Sequence, residues 1–276
     1  MVDKKTLIRR LSFTAYFIAA FLLFLILLFP FDRIKSKLEA EVRLRTPFEL
    51  SVARIAPRFF NRFVLIDVVV SDKKNKILFE SPAVKTTVSL FSLLRGGISV
   101  NMKAPAYGGE LLVKAHQSPK LQRLLIDADG LNIASYPMMK DLGLKLSGKI
   151  GGNFEMNGDS GKGRLWLKGL TSRELKIKGF PVPDLDFEKG WLEADFKGDR
   201  MTIRKLELEG KELKIQATGD MVLRERGTLN LLVKVKPSER LAREQAGIFS
   251  LLKNRDAEGF YQFTLGGLLT EPMPRL

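Results

Sequence analysis

The chain has 276 residues, with 46 lysines and arginines against 31 aspartates and glutamates, for a formal net charge of +15. It has no cysteine and one histidine, which excludes disulfides, thiolate metal sites, a lipidated cysteine and any histidine-rich metal centre. A positive balance of this size suits nucleic acid or an anionic membrane surface. With no RNA-binding aromatic signature and no zinc-finger spacing, wet strand faces and lipid headgroups are expected instead, and nucleic acid is not an expected partner.

Lys4, Lys5, Arg9 and Arg10 precede an uncharged run, Leu11 to Phe29, LSFTAYFIAAFLLFLILLF. As a helix, nineteen residues cover roughly 28 Å at about 1.5 Å each, close to the roughly 30 Å hydrocarbon core of a bilayer. A cleaved secretory signal wants a shorter apolar core followed by small residues, whereas Leu27 to Asp32, LLFPFD, offers no such site. A buried core helix would need a large protein around it. The expectation is a single N-terminal transmembrane helix over 11–29. The positive-inside rule leaves residues 1–10 as a cytoplasmic basic tail. The expected address is the bacterial inner membrane, single-pass, with the bulk of the chain in the periplasm.

Between 30 and 46, Ile34, Leu38 and Val42 recur at four-residue steps among charged residues, and Thr46-Pro47 follows. That spacing predicts a juxtamembrane amphipathic helix. From Phe48 the period becomes two: Phe48, Leu50 and Val52, then Phe63 to Val70, Val84/Thr86/Val88, Ile98 to Met102, Glu110 to Ala115 and Leu121 to Ala128. A short helix is predicted before Gly96-Gly97, and another near Ser135 and Pro137. Residues 47–276 read as one periplasmic β domain with a possible sub-boundary near 130–143.

Beyond Leu144, glycines punctuate short alternating pieces such as Leu165/Leu167, Leu192/Ala194/Phe196, Leu206/Leu208, Leu213/Ile215/Ala217 and Leu231/Val233/Val235. Their intervening residues are mostly charged, as in an antiparallel sheet with one apolar and one wet face. Leu165, Leu167, Leu192, Phe196, Leu213, Ile215, Leu231 and Val233 are the candidate apolar face. A helix opened by Pro237-Ser238 carries Leu241, Gln245, Ile248, Phe249 and Leu252, and a last strand runs from Phe260 to Leu265 with Pro272 and Pro274 closing the chain.

Catalytic chemistry finds little to work with. His116 is the single histidine, so a serine triad would have to use it. Gly158-Asp159-Ser160-Gly161 is similar to a protease nucleophile segment but reads as a hairpin turn. Gly161-Lys162-Gly163 lacks the Ser or Thr after lysine that a phosphate loop needs. Asp184/Asp186 and Glu207/Glu209 fall on wet strand faces. No catalytic residue, metal ligand or cofactor is assigned, and an enzyme is not expected.

Four stretches carry a family resemblance: the apolar run ending Phe29-Pro30-Phe31; VKTTVSLFSLLRGG from Val84, leading into ISVNMKAPAYGGEL; GLNIASYPMMKDLGLKLSGKIGG from Gly130; and the closing FYQFTLGGLLTEP. Together they make the chain resemble the long form of the type II secretion system protein N family, similar in turn to AsmA-like domains. The resemblance implies a mainly β fold, an elongated, curled antiparallel sheet with a few short helices behind the transmembrane helix. It also implies a structural, interacting role in protein transport, with other secretion-system proteins as partners. The alternative from the same likeness is an AsmA-like lipid-binding or lipid-transfer protein for outer-membrane maintenance. About fourteen strands at roughly 4.8 Å extend to roughly 65 Å, short for a conduit. A sealed core or narrow crevice with little bound lipid is therefore the expectation.

Overall fold

Strands alternating apolar and charged residues can bury one face and leave the other wet, and from Phe48 onward this chain uses that solution. The computed structural model describes residues 16–17, 31–59, 61–119, 121–137, 139, 145–174, 176–177, 180–181, 184–224, 226–252, 255–269 and 271–275. Helix α1 (Phe31–Arg45) leads into β1 (Phe48–Phe59), β2 (Arg62–Asp72) and β3 (Ile77–Val88). After α2 (Leu90–Leu94) come β4 (Ile98–Ala106), β5 (Gly109–Gln117), β6 (Gln122–Asn132), β7 (Lys145–Asn157) and β8 (Ser160–Arg173). A small ladder, β9 (Lys176–Ile177) with β10 (Phe180–Pro181), precedes β11 (Leu185–Lys197), β12 (Arg200–Gly210), β13 (Leu213–Val222) and β14 (Thr228–Pro237). Helices α3 (Glu239–Glu244) and α4 (Ala246–Phe249) and strands β15 (Tyr261–Leu268) and β16 (Glu271–Arg275) complete the chain. All strands but β9 and β10 form one fourteen-stranded sheet in chain order; β1 and β16 are its two edges, so it is open.

The expected fold class needs a correction. Among the described residues no helix is long and apolar enough to cross a membrane. The longest, α1, has fifteen residues, short of the roughly 20 apolar residues a span requires, and it is interrupted by Asp32, Arg33, Lys35, Lys37 and Glu39. The transmembrane helix expected over 11–29 is therefore not supported; of that stretch only Tyr16 and Phe17 are described, and the rest lies outside the described residues.

Smaller differences have local causes. A 3-10 turn, Ile133–Ser135, follows β6, capped by the Asn132 side chain, which accepts from the Ala134 N–H at 3.0 Å; Pro137 and Met139 beyond it are helical, and the rest of the helix expected there lies outside the described residues. The helix after Ser238 breaks at Gln245 into two short pieces instead of running to Leu252. Pro272 and Pro274 lie inside β16, opposite Gly267 and Leu265. Proline has no N–H, so it is tolerated on an edge strand and blunts that edge against further pairing.

The other edge is covered by α1. Glu39 Oε1 accepts from the Val52 N–H at 2.9 Å and Lys35 Nζ donates to Ala53 O at 3.3 Å, so two backbone groups of the free β1 edge are satisfied by the helix. Phe31 packs its ring on Phe63, centroids 6.1 Å apart. Glu39→Ala is expected to cost about 1.5–3 kcal/mol, the range for a hydrogen bond to a charged group. Urea denaturation reads the loss, and an exposed β1 edge adds concentration-dependent aggregation.

Beneath α1 lies a contiguous buried cluster of Val52, Ile55, Val68, Val84 and Ala104, with Leu65, Phe79 and Leu111 against it. Val52 and Ile55 are three apart, as are Leu65 and Val68, because the ladder skips a pair at Asp67, which has φ 49°. Pairing resumes unchanged beyond it, Arg54 with Ile66 and Ile66 with Ala83, so the alternation steps by one in three neighbouring strands together.

Candidate apolar-ligand face

Directly paired residues of antiparallel strands point to the same side of a sheet, so the ladders define rows across it. One row runs Ala104, Leu111, Ala128, Gly152, Leu165, Leu192, Leu206, Ala217, Val233, Phe263, one residue from each of ten neighbouring strands. Beside it runs Met102, Val113, Ile126, Phe154, Gly163, Ala194, Ile203, Gly219, Leu231, Leu265, and beyond that Val100, Ala115, Leu124, Met156, Gly161, Phe196, Met201, Met221, Leu229, Gly267. On the opposite flank are Leu131, Ile150, Leu167, Gly190, Leu208, Ile215, Val235 and Tyr261. No residue in these four rows is charged. Ten strands span about 43 Å and four rows about 20 Å.

The register brings the predicted residues to this one face. Leu165, Leu192 and Val233 lie in the first row, Leu167 and Ile215 on its flank, Leu231 and Phe196 in the two rows on its other side, and Leu213 two positions before Ile215, opposite Pro237. Of the eight, only Val233 is buried; the other seven are half-buried. A sealed core, as expected from the sequence, would bury these leucines. Among the described residues the buried cluster of five lies under α1, while on this face Ala194 with its partner Ile203, Ala217 with its partner Val233, and Leu229 are buried among half-buried leucines.

Glycines shape the face as well as punctuating its turns. A Cβ at Gly163 would meet the Phe196 and Phe154 rings at 3.2 and 3.4 Å. Those rings close edge to face over it, centroids 5.0 Å apart. At Gly190 it would strike Leu208 Cδ2 at 2.7 Å and Leu167 Cβ at 3.0 Å. Both glycines fall on the apolar parity, Gly161-Gly163-Leu165-Leu167 and Gly190-Leu192-Ala194-Phe196. That parity was the available signal. Gly219 combines φ 142° with a Cβ position 2.2 Å from Asn230 O, so Gly219→Ala is expected to cost about 2–5 kcal/mol from backbone strain and overpacking together. Gly158→Ala, at φ 59° with open space around it, is expected to cost only about 1–2 kcal/mol; thermal melts of both variants separate the clash from the dihedral.

The opposite face carries the charges. Arg173 pairs with Asp186 at 2.5 Å and Asp184 at 3.7 Å, and Lys205 pairs with Glu207 at 3.0 Å. His116, Arg123, Asn157 and Ser160 succeed one another across β5, β6, β7 and β8, which separates His116 from Ser160 by about 14 Å. Gly158 and Asp159 form the hairpin turn between β7 and β8. Among the described residues no group of His, Asp and Glu is arranged to hold a metal ion.

No protein-family model, curated protein or solved structure matches the chain. The functional reading therefore rests on the chemistry of the face itself.

Proposed function

We propose that the chain is a lipid-binding module whose apolar sheet face takes acyl chains. One observation carries the reading: an uncharged face, three rows of ten strands and a fourth of eight, whose leucines other than Leu229 are half-buried, with α4, among the described residues, covering it only at the Tyr261 corner through Phe249, ring centroids 5.6 Å apart. Its footprint is about 43 by 20 Å, and a contiguous apolar surface left partly exposed marks a binding site. Water against such a face is costly, and a flexible hydrocarbon chain relieves that cost without demanding any polar partner. This was the alternative reading of the sequence, and the half-exposed leucines favour it over a sealed structural sheet. A secretion-system role, implied by the resemblance, would place a protein segment on the same face and predicts no displaceable lipid.

The test is a titration of the full chain with a dansyl-labelled fatty acid, followed by displacement with unlabelled palmitate or phospholipid. Saturable binding with displacement is expected. Gly163→Leu drives a side chain between the Phe154 and Phe196 rings and is expected to weaken binding roughly tenfold, close to the worth of two buried methylene groups. Absence of saturable binding, or equal affinity in Gly163→Leu, contradicts the reading.

A further inference from the structure

We propose that the corner of the sheet around α2 docks on an anionic bilayer. Helix α2 turns its apolar residues outward: Phe91 is 60% exposed and Leu94 86%, and Leu90 and Ile98 are exposed beside them. Arg95 lies over the Phe91 ring, 4.1 Å from its centroid. Exposed apolar residues clustered and rimmed by polar ones in this way mark protein or membrane interaction sites.

The same corner is cationic. Asn61 Nδ2 donates to Val88 O at 2.8 Å and the Asn61 backbone carbonyl accepts from the Val88 N–H at 2.9 Å, which fixes the β1–β2 turn, with Arg58 and Arg62, against the strand end that leads into α2. From there a hollow of about 640 Å³ opens on the charged face, lined by Arg58, Arg62, Lys85, Lys103 and Lys114 over a floor that includes Leu112. Lys85 and Lys103 are direct cross-strand partners, and like charges so placed destabilise a sheet. Lys103 reaches Glu110 at 2.6 Å, whereas Arg58, Arg62, Lys85 and Lys114 make no ion pair among the described residues. Repulsive cations beside exposed aliphatic and aromatic tips match the two layers of a bilayer, phosphate above hydrocarbon. Nucleic acid would use the cations and leave Leu90 and Leu94 in water. The proposal deepens the acyl-chain reading and depends on it only for its purpose: α2 joins Val88 to Ile98 at the end of the row through Val100, so docking brings that end of the apolar face to a source of chains.

The absence of cysteine permits clean single-site labelling. Leu94→Cys and, at the far end of the strands, Lys74→Cys carry an NBD dye, and the full chain is added to vesicles of phosphatidylethanolamine and phosphatidylglycerol containing doxyl-labelled lipid. The dye at 94 is expected to shift to the blue and lose most of its emission to the doxyl groups, while the dye at 74 stays in water. Arg62→Gln and Lys85→Gln are each expected to weaken the response about fivefold on these vesicles and to leave it unchanged on phosphatidylcholine alone. Lys85→Gln also raises the melting temperature by removing the repulsion with Lys103, a change opposite in sign to any folding defect. A dye at 94 as wet as at 74, or a response independent of phosphatidylglycerol and of both cations, overturns the proposal. Fatty-acid titration of the same variants stands apart: its failure with a buried dye at 94 sinks the acyl-chain reading alone.

Discussion

Val52→Asp is expected to abolish cooperative folding of the sheet's first strands. Val52 is 1% exposed at the centre of the cluster formed with Ile55, Val68, Val84 and Ala104, and its N–H is the one held by Glu39. An aspartate there faces neither water nor a cation, so it must be buried uncompensated or expel α1 from the edge. Burying such a group costs several kcal/mol, comparable with the roughly 5–15 kcal/mol that holds a whole domain together. Loss of the cooperative thermal transition, and rapid proteolysis between β1 and β4, are the expected results; a cooperative melt within a few degrees of the parent contradicts the assignment of this cluster as the fold's core.

The same substitution on the broad apolar face is expected to behave in the opposite way. Leu213 and Leu231 are half-buried in the open part of the sheet, far in sequence from that cluster. Leu213→Asp and Leu231→Asp place their carboxylates where water reaches, so the ordinary cost is the forfeited apolar burial, about 1.5–3 kcal/mol, and not an unpaired buried charge. Both variants are expected to remain folded with a lowered midpoint in urea and to lose fatty-acid binding. Unfolding of both, with the same severity as Val52→Asp, would mean that the face is sealed.

The strands and the shared face were legible because a two-residue period forces every second side chain to one side, and Leu165, Leu192 and Val233 needed only correct neighbours to form a row. Neighbours were supplied by short turns such as Tyr107-Gly108, where φ values of 50° and 76° suit a tight hairpin. Period alone could not show whether a second layer covers the leucines; that depends on what packs above them, and no residue pattern within a strand encodes it. The step at Asp67 was equally hidden, since three strands had to shift together for burial to pass from Val52 to Ile55 and from Leu65 to Val68. Glycine's preference for turns hides the role of Gly163 and Gly190, which lie within β8 and β11 on the apolar parity as gaps beneath larger side chains. The apolar run at 11–29 was the strongest single signal in the sequence, yet among the described residues no helix able to cross a membrane is found.

Whether the apolar face is occupied by lipid is decided most directly by native mass spectrometry of the full chain, beside Leu213→Asp and Leu231→Asp. The account predicts satellite peaks for the parent at the masses of one or more phospholipids or fatty acids, confirmed by extraction, and bare chain for both folded variants. A parent that carries no lipid after expression in membrane-containing cells, or variants that retain the parent's full complement, would contradict it.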